Sequence, residues 1–393
     1  MKNKVVVSGI GLVTPLKPFM PVDEFWNSLC SGKDAIKKMS PPMLDVGRKW
    51  LMASIDISSR SDKIDPEDKL LHIATEALDM AMRDAQIQEY PDVGLSIGTV
   101  LGNILFKEKR LMENKRQSAM EINEKESLSH ISSYFAERYN LSGPCVTIST
   151  ACASGTDAIG VAARKIMAGK ADIMVAGGVD IINDFALIGF HVLQILTDDK
   201  VRPFDKNRTG LALGEGAAFV VLESEKHAVK RGAKIYGRVM GYVSRADANH
   251  LTGPHREGRG LADAIVHALK EASLEPHEIN YINAHGTGTV YNDLMETKAI
   301  KKVFGKAAYS IPVSSTKSML GHSFGAAGAI ETICCLLSVR KKKVPPTINF
   351  FERDPECDLD YVPNTSRYHD VSIAISLSAG FGGQNAAIII GEV

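Results

Sequence analysis

The sequence predicts an α/β protein, and three observations predict it. Short apolar runs at Val5–Val7, Leu95–Ile97 and Ile173–Ala176 alternate with longer stretches, Leu70–Ala85 and Ile159–Ala168, whose apolar residues recur at helical spacing. Strands that alternate with helices are the pattern of an α/β chain. The run Ile173-Met-Val-Ala-Gly177-Gly178 has no polar alternation, so its strand is expected to be covered on both faces. Finally, parts of the chain read alike. Residues 213–223 and 379–392 each carry a glycine-rich turn into an apolar strand near a glutamate. Residues 146–167 and 311–338 each run from a β-prone stretch through a Ser/Thr-rich turn into an Ala/Gly-rich helix. A duplication would divide the chain into 1–230 and 231–393, with Tyr236–Val243 opening the second half as Val5–Val13 opens the first. Chance likeness of glycine-rich segments would also produce the match, and the residues alone leave both readings open.

Composition narrows the class. At 393 residues the chain holds about two to three domain equivalents, or one large fused unit. Apolar residues at 45% and charged residues at 23% are close to globular averages, which excludes collagen-like, disordered and coiled-coil chains. Lys plus Arg and Asp plus Glu are 46 each, so no global basic field exists to hold a nucleic acid. The apolar stretch Val5–Leu16 is broken by Gly9, Gly11 and Pro15, which suits a buried strand and turn better than a signal peptide. No run approaches the roughly 18–20 apolar residues of a membrane span. The six cysteines, Cys30, Cys145, Cys152, Cys334, Cys335 and Cys357, show no C-x-x-C spacing, and a reduced, cytoplasmic setting is expected. Arg340–Lys343, before Pro345-Pro346, reads as the basic end of a helix.

The residues that carry chemistry are few. Thr150-Ala-Cys152-Ala-Ser-Gly155 is a strand-to-helix junction with small residues around one thiol. At a helix N-terminus, Cys152 would meet free N–H groups and the positive end of the dipole, which favour a thiolate nucleophile. A buried structural cysteine is the competing reading, and it is the one given to Cys145, Cys334, Cys335 and Cys357. Two histidines, His285 in N-A-H-G-T-G-T and His322 in K-S-M-L-G-H-S-F-G-A-A-G, follow β-prone runs and would lie on loops at strand ends, where α/β sites form. Lys317 precedes His322 by five residues. His250 and His255 lie on a Gly-Pro loop without a cysteine or carboxylate cluster and make a poor zinc site. Gly9-Ile-Gly11 and Gly214-Glu-Gly216 lack the full dinucleotide-binding pattern.

These motifs, with the C-terminal A-G-F-G-G-Q-N, resemble in content and order the signatures of the β-ketoacyl-[acyl-carrier-protein] synthases, and the likeness runs from Val5 to the last strand. The pairing of one cysteine with two histidines is similar to the elongating enzymes. The resemblance implies a thiolase-like fold, two βαβαβαββ halves in a five-layered α-β-α-β-α sandwich. It assigns Cys152 as the nucleophile that takes the acyl chain, and the N–H groups of Cys152 and Phe381 as its oxyanion hole. His285 and His322 would hold the malonyl thioester carbonyl during decarboxylation, with Lys317 and Glu296 supporting them. Thr287, Thr289 and Thr252 would contact the phosphopantetheine arm. Phe381 would also gate the acyl pocket, and Leu101 would limit chain length.

The same resemblance implies no cofactor or metal, an acyl carrier protein as partner, and a homodimer or a heterodimer with a chain-length-factor-like subunit. Because carrier proteins are acidic, a local basic patch is expected, drawn from Lys63, Lys69, Lys125, Arg202, Lys206 and Arg208. The H-G-T-G-T form is common in polyketide-type synthases, so a polyketide or polyene pathway stands beside fatty-acid elongation. A non-catalytic chain-length-factor-like subunit is the competing class, disfavoured by Cys152, His285, His322 and Lys317. A thiolase is disfavoured because the last turn, Gly380-Phe-Gly-Gly383, has no second cysteine.

Overall fold

The computed structural model describes residues 3–16, 18–58, 68–87, 92–113, 125 and 127–393. Ten strands form one mixed sheet: β1 (Val5–Val13), β2 (Val93–Gly98), β3 (Cys145–Ile148), β4 (Ile173–Asp180), β5 (Gly216–Ser224), β6 (Gly237–Ala246), β7 (Tyr281–Asn283), β8 (Val313–Ser314), β9 (Ile373–Gly380) and β10 (Gln384–Gly391). Read outward from the middle, one side runs β1-β5-β4-β2-β3 and the other β6-β10-β9-β7-β8. The second order is the first with five added to every strand. The pairing senses repeat as well: β1–β5 and β4–β5 are antiparallel and β2 is parallel to β4 and β3, while β6–β10 and β9–β10 are antiparallel and β7 is parallel to β9 and β8. The sides join where β1 pairs with β6, Val5 opposite Val239.

Six helices matter for the layering: α1 (Lys69–Asp84), α2 (Ser154–Met167), α3 (Asp184–Val192), α4 (Arg259–Ala272), α5 (Val290–Phe304) and α6 (Ala327–Lys341). Helix α1 packs on β1 and β5, and α4 on β6 and β10. Between the two sides, α2 and α6 pack on each other and on strands of both. The fold is thus an α-β-α-β-α stack. Its middle layer explains the Ala/Gly composition of both repeats: 13 of the 15 residues of α6 are buried, and a helix enclosed all round cannot show an amphipathic stripe.

The two middle helices approach closely because glycine permits it. A Cβ on Gly155 would sit 2.5 Å from the Gly325 carbonyl oxygen, and one on Gly328 would sit 2.0 Å from Thr156 Oγ1. The strand expectations at Val5, Leu95 and Ile173 hold with longer bounds, and the helix expected from Ile159 begins five residues earlier, at Ser154. Periodicity misses that first turn because Ser154, Gly155 and Thr156 are small and buried rather than apolar. One cysteine corrects its expectation: Cys145 is exposed, because β3 ends the sheet and Cys145 opens it.

The α2–α6 contact has no room for another carbon. Gly328→Ala is expected to destabilise the protein by about 1–3 kcal/mol, the usual cost of overpacking, measured by denaturant unfolding. An unchanged midpoint would show that the helices can separate freely.

Candidate active site

Cys152 stands at the turn between β3 and α2, directly before the N-cap residue Ala153. Ala151, the residue before it, has φ +49°, a left-handed conformation that non-glycine residues adopt at a cost. Hydrogen bonds hold it there. Ser154 Oγ donates to the Ala151 carbonyl at 2.6 Å and accepts the Thr150 N–H at 2.9 Å, while Thr150 Oγ1 donates to Asp157 at 2.6 Å. The Cys152 and Phe381 N–H groups both act on the Cys152 thiol. The Phe381 turn reaches the thiol because residue 380 is glycine, whose missing Cβ would lie 3.0 Å from the Cys152 nitrogen.

His285 lies beyond the end of β7, and His322 follows the short helix Lys317–Leu320 beyond β8. One ring nitrogen of each and the Cys152 sulfur all lie within 4.8 Å of one another, and all three residues are buried. The rings cross at 83° with centroids 5.2 Å apart. Lys317 Nζ stands 3.3 Å from His285 Nδ1, and the Phe324 N–H donates to His322 Nδ1 at 3.2 Å. An ammonium and an amide N–H can only donate, so both Nδ1 atoms accept and both protons reside on Nε2. Two N–H donors are therefore free for a ligand. Burial drives both imidazoles well below their ordinary pKa, and the Lys317 charge acts in the same direction, so both rings are neutral at pH 7.

Lys317 is itself paired with Glu331 of α6, an acid that sequence reasoning left without a role although it lies three residues beyond the K-S-M-L-G-H-S-F-G-A-A-G motif. Burial lifts the Glu331 carboxyl to about 7 against the pull of Lys317. Glu296, expected to support the histidines, accepts the N–H groups of His285 at 2.6 Å and Gly286 at 2.8 Å. It fixes the loop that carries the histidine, and burial lifts its carboxyl to about 8. Asp180, also unassigned from sequence, accepts Thr99 Oγ1, the N–H groups of Val100 and Leu101, and the Gly325 N–H at 2.7–3.0 Å. One carboxylate thereby ties the loop after β2 to the loop of His322.

These groups line a cavity of about 320 Å³ whose walls include Cys152, His285, His322, Phe381, Thr252, Thr287 and Thr289. The Thr287 and Thr289 hydroxyls are 2.9 Å apart. Phe190 of α3, missed from sequence because nothing local distinguishes it, stacks on Phe381 at 5.5 Å and meets Phe324 edge-on at 5.7 Å. Leu101 is not among the cavity-lining residues; it packs in the apolar cluster of Trp50, Leu187 and Phe324 behind the site.

Two expectations change. Burial pushes the Cys152 thiol up to about 11, against the opposing effects of Lys317 and the Phe381 N–H, so the resting nucleophile is a thiol rather than the thiolate expected at a helix N-terminus. Most of the expected basic patch is taken up in ion pairs, those of Lys69 and Arg208 largely buried and those of Arg202 and Lys206 reaching the surface. Lys69 pairs with Glu215 at 2.6 Å, Arg202 with Asp199 at 2.6 Å, buried Arg208 with Asp354 at 2.6 Å, and Lys206 with Glu352. Lys125 lies over the Phe106 ring, and Lys63 falls outside the described residues. A cysteine and two histidines could also ligate a metal, but the Lys317 ammonium beside His285 opposes a second cation there.

Comparison with known proteins agrees with the geometry. The N-terminal domain model of the β-ketoacyl synthases matches residues 2–228 and the C-terminal domain model residues 236–351; the chain belongs to the β-ketoacyl synthase family. It is 36% identical to 3-oxoacyl-[acyl-carrier-protein] synthase 2 of Coxiella burnetii, covering 100% of this chain and 99% of that one. It is 35% identical to the tetracenomycin polyketide synthase ketoacyl synthase alpha subunit of Streptomyces glaucescens, covering 99% and 97%. Among solved structures, a type II polyketide ketosynthase in complex with its acyl carrier protein superposes with a TM-score of 0.92 at 34% identity, and the ishigamide ketosynthase/chain length factor with 0.90 at 32%, both over 100% of each chain. The chain is an acyltransferase that carries out the β-ketoacyl synthase condensation of fatty-acid or type II polyketide assembly.

Because the thiol is the resting form, alkylation of Cys152 by iodoacetamide is expected to speed up about tenfold per pH unit between pH 7 and 9, in step with the thiolate fraction. A rate already level below pH 8 would contradict this. Glu331→Ala, which strands the buried Lys317 charge, is expected to lower stability by about 3–5 kcal/mol in denaturant unfolding; a loss under about 1 kcal/mol would show that the charge finds solvent.

Proposed function

We propose that Cys152 is acylated by a carrier-bound thioester and that His285 and His322 activate the malonyl partner. The observation that supports this best is the convergence of the three groups within 4.8 Å. In the first half-reaction the Cys152 thiol gives up its proton, which ends on the departing pantetheine sulfur, and its sulfur attacks the thioester carbonyl. The negative oxygen of the tetrahedral intermediate is held by the N–H groups of Cys152 and Phe381, and the carrier's pantetheine thiol leaves. A single donor of this kind is commonly worth about 2.7–4 kcal/mol. In the second, the malonyl thioester carbonyl accepts the two Nε2–H bonds. Carbon dioxide departs, and the bonding electrons move into an enolate stabilised by those donors. The enolate carbon attacks the acyl carbonyl, the Cys152 thiolate leaves, and a β-ketoacyl chain longer by two carbons remains on the carrier.

Lys317, held by Glu331, and Glu296 act as positioning residues: they fix the tautomer and place of His285. Thr287, Thr289 and Thr252, on the cavity wall, are read as contacts for the pantetheine amides, and Phe381 against Phe190 as the closure of the acyl side. Leu101 bears on chain length through Phe324, with which it shares a cluster, rather than by contact. The chain is read as working with a discrete acyl carrier protein and a second subunit, either another copy or a chain-length-factor-like chain. Solved relatives in complex with a carrier protein and with chain length factors support this. A purely non-catalytic subunit does not suit a chain that keeps the complete set of Cys152, His285 and His322.

Incubation with acyl carrier proteins followed by intact-mass measurement tests the proposal. The wild type is expected to gain one acyl mass and Cys152→Ala none; an equal adduct on both would place the acyl group elsewhere, and no adduct on either would remove Cys152 from the reaction.

A further inference from the structure

With Lys69 and Arg208 held in largely buried pairs and Arg202 and Lys206 matched by acids at the surface, a second cationic surface beside the cavity stands out. We propose that the carrier protein docks on the lip formed by residues 245–259, with Arg245, Arg256 and Arg259 as its anchors; this rests on the carrier-protein reading above. The lip belongs to the cavity, because Asp247, His250, Thr252, Gly253 and Pro254 line it. Its shape is fixed by one carboxylate. Asp247 accepts the N–H groups of His255 at 2.9 Å and Gly260 at 3.1 Å and the Asn385 amide at 3.1 Å, closing the segment into a loop. The Gly382 N–H donates to the Leu251 carbonyl at 2.7 Å, which joins the loop to the Phe381 turn. Arg245, at the end of β6, and Arg256 and Arg259, at the start of α4, are thereby brought to one rim.

All three arginines are exposed, and none forms an ion pair among the described residues. Arg245 donates to the neighbouring Ser244 carbonyl at 3.3 Å. Lys298 and Lys302 of α5 add to the same field; Asp247 and Asp263 answer it in part, and so does Glu257. It pairs with Lys298 at 2.8 Å, and the lysines and His255 hold its carboxyl below the usual range. On a chain of zero formal charge, this rim carries a local excess of cations. Guanidinium groups suit it, since each binds a carboxylate or a phosphate oxygen pair through two parallel N–H bonds. Leu251, 82% exposed at the loop's tip, supplies an apolar contact among the charges. An acidic carrier seated here would put its phosphate among the arginines and its arm beside Thr252, on the way to Thr287 and Cys152. The other cationic cleft, which includes Arg83, Lys234, Arg340 and Lys341, is lined by neither Cys152 nor a histidine, and two of its lysines pair with Asp84 and Asp23.

The test separates docking from chemistry. The wild type, the neutral variant Arg245→Ser/Arg256→Ser/Arg259→Ser and the control Arg340→Glu are assayed with two donors: acyl and malonyl groups on an acidic discrete acyl carrier protein, and the same groups as N-acetylcysteamine thioesters. For the neutral variant, kcat/KM with the carrier substrates is expected to fall about tenfold or more, through KM, and its dependence on salt to flatten. Acyl loading from the small thioester stays within twofold of wild type, and Arg340→Glu matches wild type on both donors. Unchanged carrier kinetics in the neutral variant, or a parallel loss with the small thioester, would overturn the docking surface. A wild type acylated by neither donor would overturn the catalytic reading itself, and the docking surface with it.

Discussion

The close contact of α2 and α6 is the constraint on which the rest depends. Each half of the duplicated sheet ends in a loop that carries chemistry, Cys152 after β3 and Lys317–His322 after β8, and neither loop is a site alone. They meet because Gly155 of α2 packs against Gly325, in the turn before α6, and Gly328 of α6 against Thr156, where a single added carbon would clash. Asp180 then fixes the register by holding the Leu101 and Gly325 N–H groups at once. The small residues of both repeats thus serve the site as much as the core.

Burial sets the electrical character of what is brought together. Desolvation leaves the two imidazoles neutral and the thiol protonated, and the Lys317 charge next to them is paired with Glu331. Neutral histidines with their protons on Nε2 are hydrogen-bond donors rather than bases. This suits them to a carbonyl whose oxygen gains charge as carbon dioxide leaves, and poorly to proton abstraction. In the proposed reaction the backbone donors at Cys152 and Phe381 would do the same for the other carbonyl, and each half-reaction would have its own preorganised pair of donors in one small cavity.

Much of this was legible in the sequence, for reasons that can be named. Motifs with glycine or small residues at fixed spacing marked Cys152, His285, Lys317 and His322, because tight turns and close helix contacts restrict residue choice. The repeat in glycine-rich turns foreshadowed the matching strand orders. Residues whose role depends on long-range contact were not legible. Glu331 lies three residues beyond the His322 motif, yet only folding brings it to Lys317, and Phe190 and Asp180 lie in segments with no local signal. Glu296 was singled out as support for the histidines, and folding sets it on the N–H groups of His285 and Gly286. The basic residues from 69 to 208 looked available because one-dimensional charge counting cannot see Glu215, Glu352 and Asp354 folded against them.

The central claim is that the two histidine Nε2–H donors drive decarboxylation independently of the thiol. Release of labelled carbon dioxide from malonyl carrier protein by Cys152→Gln, compared with Cys152→Gln/His285→Ala and Cys152→Gln/His322→Ala, tests it most directly. The account predicts release without condensation in the single variant and its loss in both doubles. Undiminished release from either double variant, or a β-ketoacyl product from the single one, would contradict it.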